Sequence, residues 1–317
     1  MASKGSSLEI LDRLGVGGVA EVFRAIRRRP GAAPDLVVVK KMRQEAAQNP
    51  FFSERFHAEA DLLQMLHHPN VAGGHEVGLL DGQPYVTIDY VDGRDLGAVL
   101  RELRERFHVL DTAHGVYIVM ELLRGLDHVH QLRSPAGQML NVVHRDVTPE
   151  NVLLGYDGSV ALTDFGVALL NGIELQGEEP AVGKLGYLAP EQVLRQPLDG
   201  RTDLFAVGCI LYELCVGQPA FPRAAGEPDE AVLERLLDGR VARPTKVDPA
   251  FPRDLEKILL TALERKPRNR FPTAARFLAA LDELAFARSN ERALLADFLK
   301  DFFWLDYRQG RVTLPTT

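Results

Sequence analysis

The stretch Val143-His144-Arg145-Asp146-Val147-Thr148-Pro149-Glu150-Asn151-Val152-Leu153-Leu154, followed shortly by Thr163-Asp164-Phe165-Gly166, constrains this chain more than any other part of it. Asp146, Asn151 and Asp164 are three oxygen-bearing side chains at spacings that suit a magnesium–phosphate site. Magnesium takes hard oxygen ligands and shares them with substrate phosphates. Asp146 can accept a proton from a substrate hydroxyl, while Asn151 and Asp164 supply oxygens to metal bound by ATP. The bland alternative is a loop and turn rich in Asx residues; the order and spacing together weigh against it.

The hydrophobic texture around this segment changes once. Over residues 8–90 short β-type runs predict strands at 9–14, 20–26, 36–41, 71–79 and 85–88. One helix interrupts them over 50–68, carried by Phe52, Phe56, Leu62, Leu63 and Leu66 and ended by Pro69. Beyond Asp92-Gly93 the patterns are long and helical, at 95–107, 112–131, 201–216, 228–238, 253–264 and 273–287, with short strands at 152–154 and 160–163. The fold class expected is therefore α+β in two lobes. A flexible N-terminus (1–7) precedes a small β-rich lobe (8–91), then come a larger helical lobe (92–287) and a C-terminal helical extension and tail (288–317). A cleft between lobes is a natural ligand site.

Composition excludes several classes. With 317 residues and 46% apolar side chains the chain can bury a large core. A net charge of −7 with scattered basic residues gives no electrostatic footprint for nucleic acid. Cys209 and Cys215 have neither zinc-ligand nor disulfide-framework spacing and read as reduced core residues. The most apolar run, 204–216, is too short to span a bilayer, and no signal-type segment follows the small polar N-terminus. The expected setting is the cytoplasm, without a membrane anchor.

Two further features bear on the site. Glu59 falls on the apolar stripe of its helix, and an inward carboxylate needs a cation. Lys40 shares a strand face with Val38 while Lys41 points the other way, so Lys40 and Glu59 are a candidate buried pair; the alternative is that Lys40 is solvated. Gly15-Val16-Gly17-Gly18-Val19-Ala20 is a glycine-rich turn whose backbone can approach phosphate. It also fits a dinucleotide-binding fingerprint, but that site wants a helix directly after the glycines, and here strands carrying Val22 and Lys40 follow.

Taken together, these motifs resemble eukaryotic-like serine/threonine protein kinases over residues 8–287, and the local style is similar to bacterial kinases of the myxobacterial type. The resemblance implies ATP, magnesium (with manganese as a substitute) and a protein substrate. It implies that Leu14, Gly15, Gly17 and Ala20 cover the nucleotide, that Lys40 holds the α- and β-phosphates, and that Glu59 fixes Lys40. Ile88 takes the gatekeeper position, Asp89 and Val91 hydrogen-bond adenine through backbone groups, and Val22, Val38 and Leu153 sandwich the ring. Asp146 becomes the catalytic base, with Asn151 and Asp164 on the metal. Leu63, His144 and Phe165 would stack as an internal spine, Asp203 would hold the catalytic loop, and Glu191 of Ala189-Pro190-Glu191 would pair with Arg270. Pro149-Glu150-Asn151 and Gly186-Tyr187 are similar to the serine/threonine branch.

The chain departs from the family pattern at Thr148, where a lysine is usual, and at Lys184, where a threonine is usual. Those departures keep open a rival reading, an ATP-binding pseudokinase acting as scaffold or switch. Reciprocal exchange is the other expectation: Lys184 reaching the γ-phosphate while the Thr148 hydroxyl orients Asp146. Between Gly166 and Ala189 there is no serine or threonine, so Glu174, Glu178 or Glu179 would supply the negative charge that Arg145 otherwise takes from a phosphate. In the tail, Leu294, Leu295, Phe298, Phe302 and Leu305 form an apolar stripe beside Trp304. It either docks on the chain's own helical lobe or serves self-association or a partner.

Overall fold

The computed structural model describes residues 6–166, 185–224, 226–284 and 290–309. The small lobe opens with β1 (Ser7–Val16), β2 (Ala20–Arg28) and β3 (Asp35–Met42), followed by the single turn α1 (Gln44–Ala47) and by α2 (Pro50–Leu63). Then come β4 (Gly74–Leu80) and β5 (Gln83–Asp89). The strands pair antiparallel in the order β1-β2-β3-β5-β4. Asn49 starts α2 by accepting the Phe51 N–H at 3.0 Å, with Pro50 where its missing donor costs nothing.

Two expected boundaries shift. The helix expected to reach residue 68 ends at Leu63, because the Met65 N–H turns back to Leu62 O at 2.9 Å and the Leu66 N–H to Leu63 O at 3.2 Å. Such i→i+3 bonds tighten and close a last turn. The strand expected from residue 71 begins at Gly74. Its first residues are committed elsewhere: Leu162 N–H donates to Asn70 O and Ala72 N–H to Leu162 O, both at 2.9 Å, stitching the small lobe to the large one.

The large lobe holds β6 (Gly93–Asp95), α3 (Leu96–Glu105), α4 (Thr112–His130), β7 (Val152–Gly155) and β8 (Val160–Leu162). After these follow α5 (Pro190–Val193), α6 (Gly200–Val216), α7 (Asp229–Asp238), α8 (Pro244–Val247), α9 (Arg253–Ala262) and α10 (Ala274–Asp282). A second antiparallel sheet, ordered β6-β7-β8, faces the small lobe's end of this helical body. Every residue of α6 from Thr202 to Leu214 is buried. A helix covered on all sides belongs at the centre, and α6 packs against both α4 and α9. Cys209 and Cys215 are free thiols on it, and burial pushes Cys215 up to about 12. Among the described residues no helix is long and apolar enough to cross a membrane.

The tail forms α11 (Glu291–Phe302) and α12 (Trp304–Gln309). Its stripe docks on the chain itself: Leu295 and Leu299 are buried against the lobe, and Phe298 stacks on His108 at 5.9 Å and meets His114 at 5.8 Å. Leu305 and Trp304 remain exposed. The stripe is thus covered by the chain's own lobe around Leu295, Phe298 and Leu299 and left open at Trp304 and Leu305.

Candidate active site

Alternation along β3 sends Val37 and Val39 into one buried face and Lys40 to the other, toward α2. There Lys40 Nζ lies 2.6 Å from Glu59 Oε1 and 3.2 Å from Asp164 Oδ1. Glu59 is buried, so the pair is a true interior ion pair, not a solvated lysine beside a helix edge. Burial opposes the Lys40 ammonium, but Glu59 and then Asp164 outweigh it and hold the amine above its ordinary range. Burial also pulls the Asp164 carboxyl upward; Lys40 overcomes this and keeps it ionised below its ordinary value.

Sequence reasoning missed Arg55, one turn before Glu59 on the same helix, whose Nη2 donates to Gly166 O at 3.0 Å. A search for charged residues four positions from Glu59 would have found it. Gly166 is tightly placed, so that an added methyl would press on the Asp164 carboxylate. A Cβ there would stand 3.2 Å from Asp164 Oδ1, 3.4 Å from Glu59 Oε2 and 3.6 Å from Lys40 Nζ. Gly166→Ala is expected to lower kcat/KM for ATP by about tenfold or more, since small displacements of reacting groups cost on that order. Steady-state kinetics on a variant with unchanged circular dichroism checks this.

The catalytic loop hangs from α6. Asp203 accepts the His144 N–H on Oδ2 at 2.9 Å and the Arg145 N–H on Oδ1 at 2.8 Å. His130, not anticipated from sequence, approaches Asp203 Oδ2 with Nε2 at 2.8 Å. Arg145 and Asp164 have positive φ, 70° and 62°, an uncommon conformation for residues with a side chain. Held strain of this kind persists only where neighbours over-determine it, and here the two strained residues bracket the site. Gln192 from α5 adds one such restraint by donating to Arg145 O at 2.9 Å. His144 is fully buried with its ring 4.6 Å from that of Phe165, and Leu63 is buried too.

Asn151 donates through Nδ2 to both Asp146 O at 2.8 Å and Asp146 Oδ2 at 3.0 Å. Both partners are acceptors, so the amide nitrogen must face Asp146, which leaves the carbonyl oxygen Oδ1 as the atom that could ligate a metal. Thr148 Oγ1 is buried and makes no hydrogen bond among the described residues, whereas Asn151 does hold Asp146. Lys184, Glu174, Glu178 and Glu179 lie outside the described residues.

On the adenine side, strand register puts Val22 opposite Lys40, Gly15 opposite Val22, and Val38 opposite Ile88. Ile88 is buried, Val22, Val38, Val91 and Leu153 are half-buried, and Leu14 is exposed at the lip. Leu153 is delivered from below by its pairing with Asp95. The Asp89 side chain is occupied elsewhere: Oδ2 accepts the Gly73 N–H at 2.9 Å and Oδ1 meets His75 Nε2 at 2.7 Å. The Asp89 N–H is likewise committed, donating to Gly73 O at 3.0 Å, so of its backbone only the carbonyl could meet a ligand. No local pattern marked His75 for this role.

The substrate-facing end is braced in the interior. Arg270 is fully buried and donates to Glu191 Oε1 at 2.6 Å and Oε2 at 2.8 Å. The Tyr187 hydroxyl donates to Glu213 Oε2, and burial followed by that carboxylate keeps the phenol protonated.

These residues fit a nucleotide–metal complex. Among the described residues no group of three or more His, Cys, Asp or Glu gathers to cage a metal unaided. Asn151 Oδ1 and the half-exposed Asp164 carboxylate offer two hard oxygens, which suits an ion whose remaining ligands are phosphate and water.

Comparison with known proteins agrees. The family described as Protein kinase domain matches residues 8–280. Tyrosine-protein kinase MasK of Myxococcus xanthus is 36% identical over 310 residues, 97% of this chain and 48% of its own length. Serine/threonine-protein kinase PknH of Mycobacterium bovis is 31% identical over 305 residues, 96% of this chain and 47% of its own. The chain spans about half the length of these curated relatives. The crystal structure of the Mycobacterium tuberculosis PknI kinase domain superposes with a TM-score of 0.61 at 27% identity, covering 89% of this chain and 97% of that one. With the catalytic loop, the Lys40–Glu59–Asp164 cluster and the two-lobed frame all in place, the chain belongs to the protein kinase family.

Proposed function

We propose that this chain transfers the γ-phosphoryl group of ATP to serine or threonine hydroxyls of a protein. The observation that carries this is the convergence of Lys40 on both Glu59 and Asp164 beside an Asp146 held by Asn151. A scaffold that only bound nucleotide would have no use for that complete set, which weighs against the pseudokinase alternative.

In this reading Lys40 grips the α- and β-phosphates, its position set by Glu59. Asp146 takes the proton of the acceptor hydroxyl as the oxygen approaches phosphorus. Magnesium, when bound by Asn151 and Asp164, neutralises the developing phosphate charge. The rigid cluster positions the phosphates before reaction, so little reorganisation is needed during transfer. ATP as donor supports the cytoplasm as the setting of the reaction.

The name of the Myxococcus relative favours a second reading, tyrosine as acceptor. Three peptides identical except for a central serine, threonine or tyrosine separate the two. With magnesium and labelled ATP, the serine and threonine peptides are expected to be labelled at least about tenfold faster than the tyrosine one. Labelling confined to tyrosine would overturn the serine/threonine assignment, and nucleotide binding without any transfer would return the pseudokinase reading.

A further inference from the structure

The last helices lie beyond the residues that the kinase family matches, 8–280, yet they are built into the wall behind the nucleotide cleft. Arg94 of β6 is the join. Its guanidinium pairs with Asp306 of α12 and lies 4.9 Å from the ring centroid of buried Phe303. One residue along, β6 pairs Asp95 with Leu153, the floor of the adenine site, and Arg94 itself with Leu154. A shift of β6 therefore moves that floor directly.

The contact continues on both sides of Arg94. The Tyr307 ring meets the Tyr156 ring edge-on at 5.2 Å. Lys300 and Tyr307 share a cleft with Tyr90, Val91 and Asp92, the chain segment whose backbone would meet adenine. Arg106 donates to Phe302 O at 3.0 Å, and Arg292 reaches Asp157 O at 3.2 Å in the turn between β7 and β8. That turn is part of the same small sheet, which carries Asn151 just before β7 and Asp164 just after β8.

We infer that α11 and α12 form a strut for nucleotide binding, with Arg94 and Asp306 as positioning residues that hold the adenine floor and the interlobe segment in register. This rests on the nucleotide site proposed above. A purely structural tail would only cover apolar surface. A strut makes a further demand, that breaking one charge pair outside the cleft weakens nucleotide affinity while chemistry at saturation is spared.

The full chain tests this through Asp306→Asn, which keeps shape and removes charge, and through the exchange Arg94→Asp with Asp306→Arg. Two readouts apply: equilibrium titration with a fluorescent ADP analogue plus magnesium, and the split between KM for ATP and kcat. Asp306→Asn is expected to weaken nucleotide binding and raise KM by about fivefold, the scale of a partly exposed charge pair, with kcat within about twofold. The exchange is expected to recover most of the affinity. Unchanged nucleotide affinity in Asp306→Asn would overturn the inference, as would an exchange variant no better than the single ones. If the unaltered chain bound no nucleotide, the proposed site itself would be wrong, an outcome distinct from failure of the strut.

Discussion

Replacing Asp146 with asparagine is expected to lower phosphoryl transfer by about 10²- to 10⁴-fold while leaving nucleotide affinity nearly unchanged. The substitution conserves shape but removes the carboxylate that Asn151 holds in the catalytic loop. It also sets a side-chain amide against the Asn151 Nδ2 donor, so either the new amide turns its oxygen to Asn151 or the hydrogen bond is lost. Lys40, Glu59 and Asp164 are untouched, which is why the loss falls on kcat and not on ATP binding. Single-turnover transfer together with ADP titration checks both halves, and near-normal turnover would remove Asp146 from the role of base.

Arg270→Ala is expected to destabilise the protein by about 3–5 kcal/mol, the cost of stranding one partner of a buried ion pair. Arg270 is fully buried, and beyond Glu191 it donates to Glu264 O at 2.7 Å, Arg201 O at 2.9 Å and Arg265 O at 3.1 Å. It also stacks on Phe205 at 4.7 Å. Removing it leaves a buried carboxylate and three carbonyls without that donor. Differential scanning calorimetry is expected to show a fall in Tm of roughly 10 °C for a domain of this size. A shift of only a degree or two would mean that water enters and replaces the guanidinium.

Much of the site was legible because its chemistry needs particular side chains at fixed local spacing. Asp146, Asn151 and Asp164 are read directly from one loop and the turn after it. The Lys40–Glu59 pair follows from two periodicities, alternation on a strand and the stripe of a helix. What escaped has no local signature. His75 and Asp89 meet across neighbouring strands, and His130 reaches Asp203 from a different helix, so neither contact leaves a mark on the sequence around it. β6 is the three-residue run Gly93-Arg94-Asp95 with no apolar residue to signal a strand, although it carries Arg94. The start of β4 was misplaced because bonding between residues 70–72 and β8, not composition, decides where that strand begins.

Asp203 sets a limit on how such a chain can vary. It stands on α6, buried at every residue from Thr202 to Leu214, and two successive amides of the catalytic loop are suspended from its carboxylate. Reaction geometry is therefore inherited from the deepest part of the hydrophobic interior. A lineage of this protein cannot repack that interior freely and keep its chemistry, since any tilt of α6 is handed to Arg145 and so to Asp146. Its room for innovation lies instead on the outer strands and surface helices, where new regulation can accumulate without disturbing the reaction.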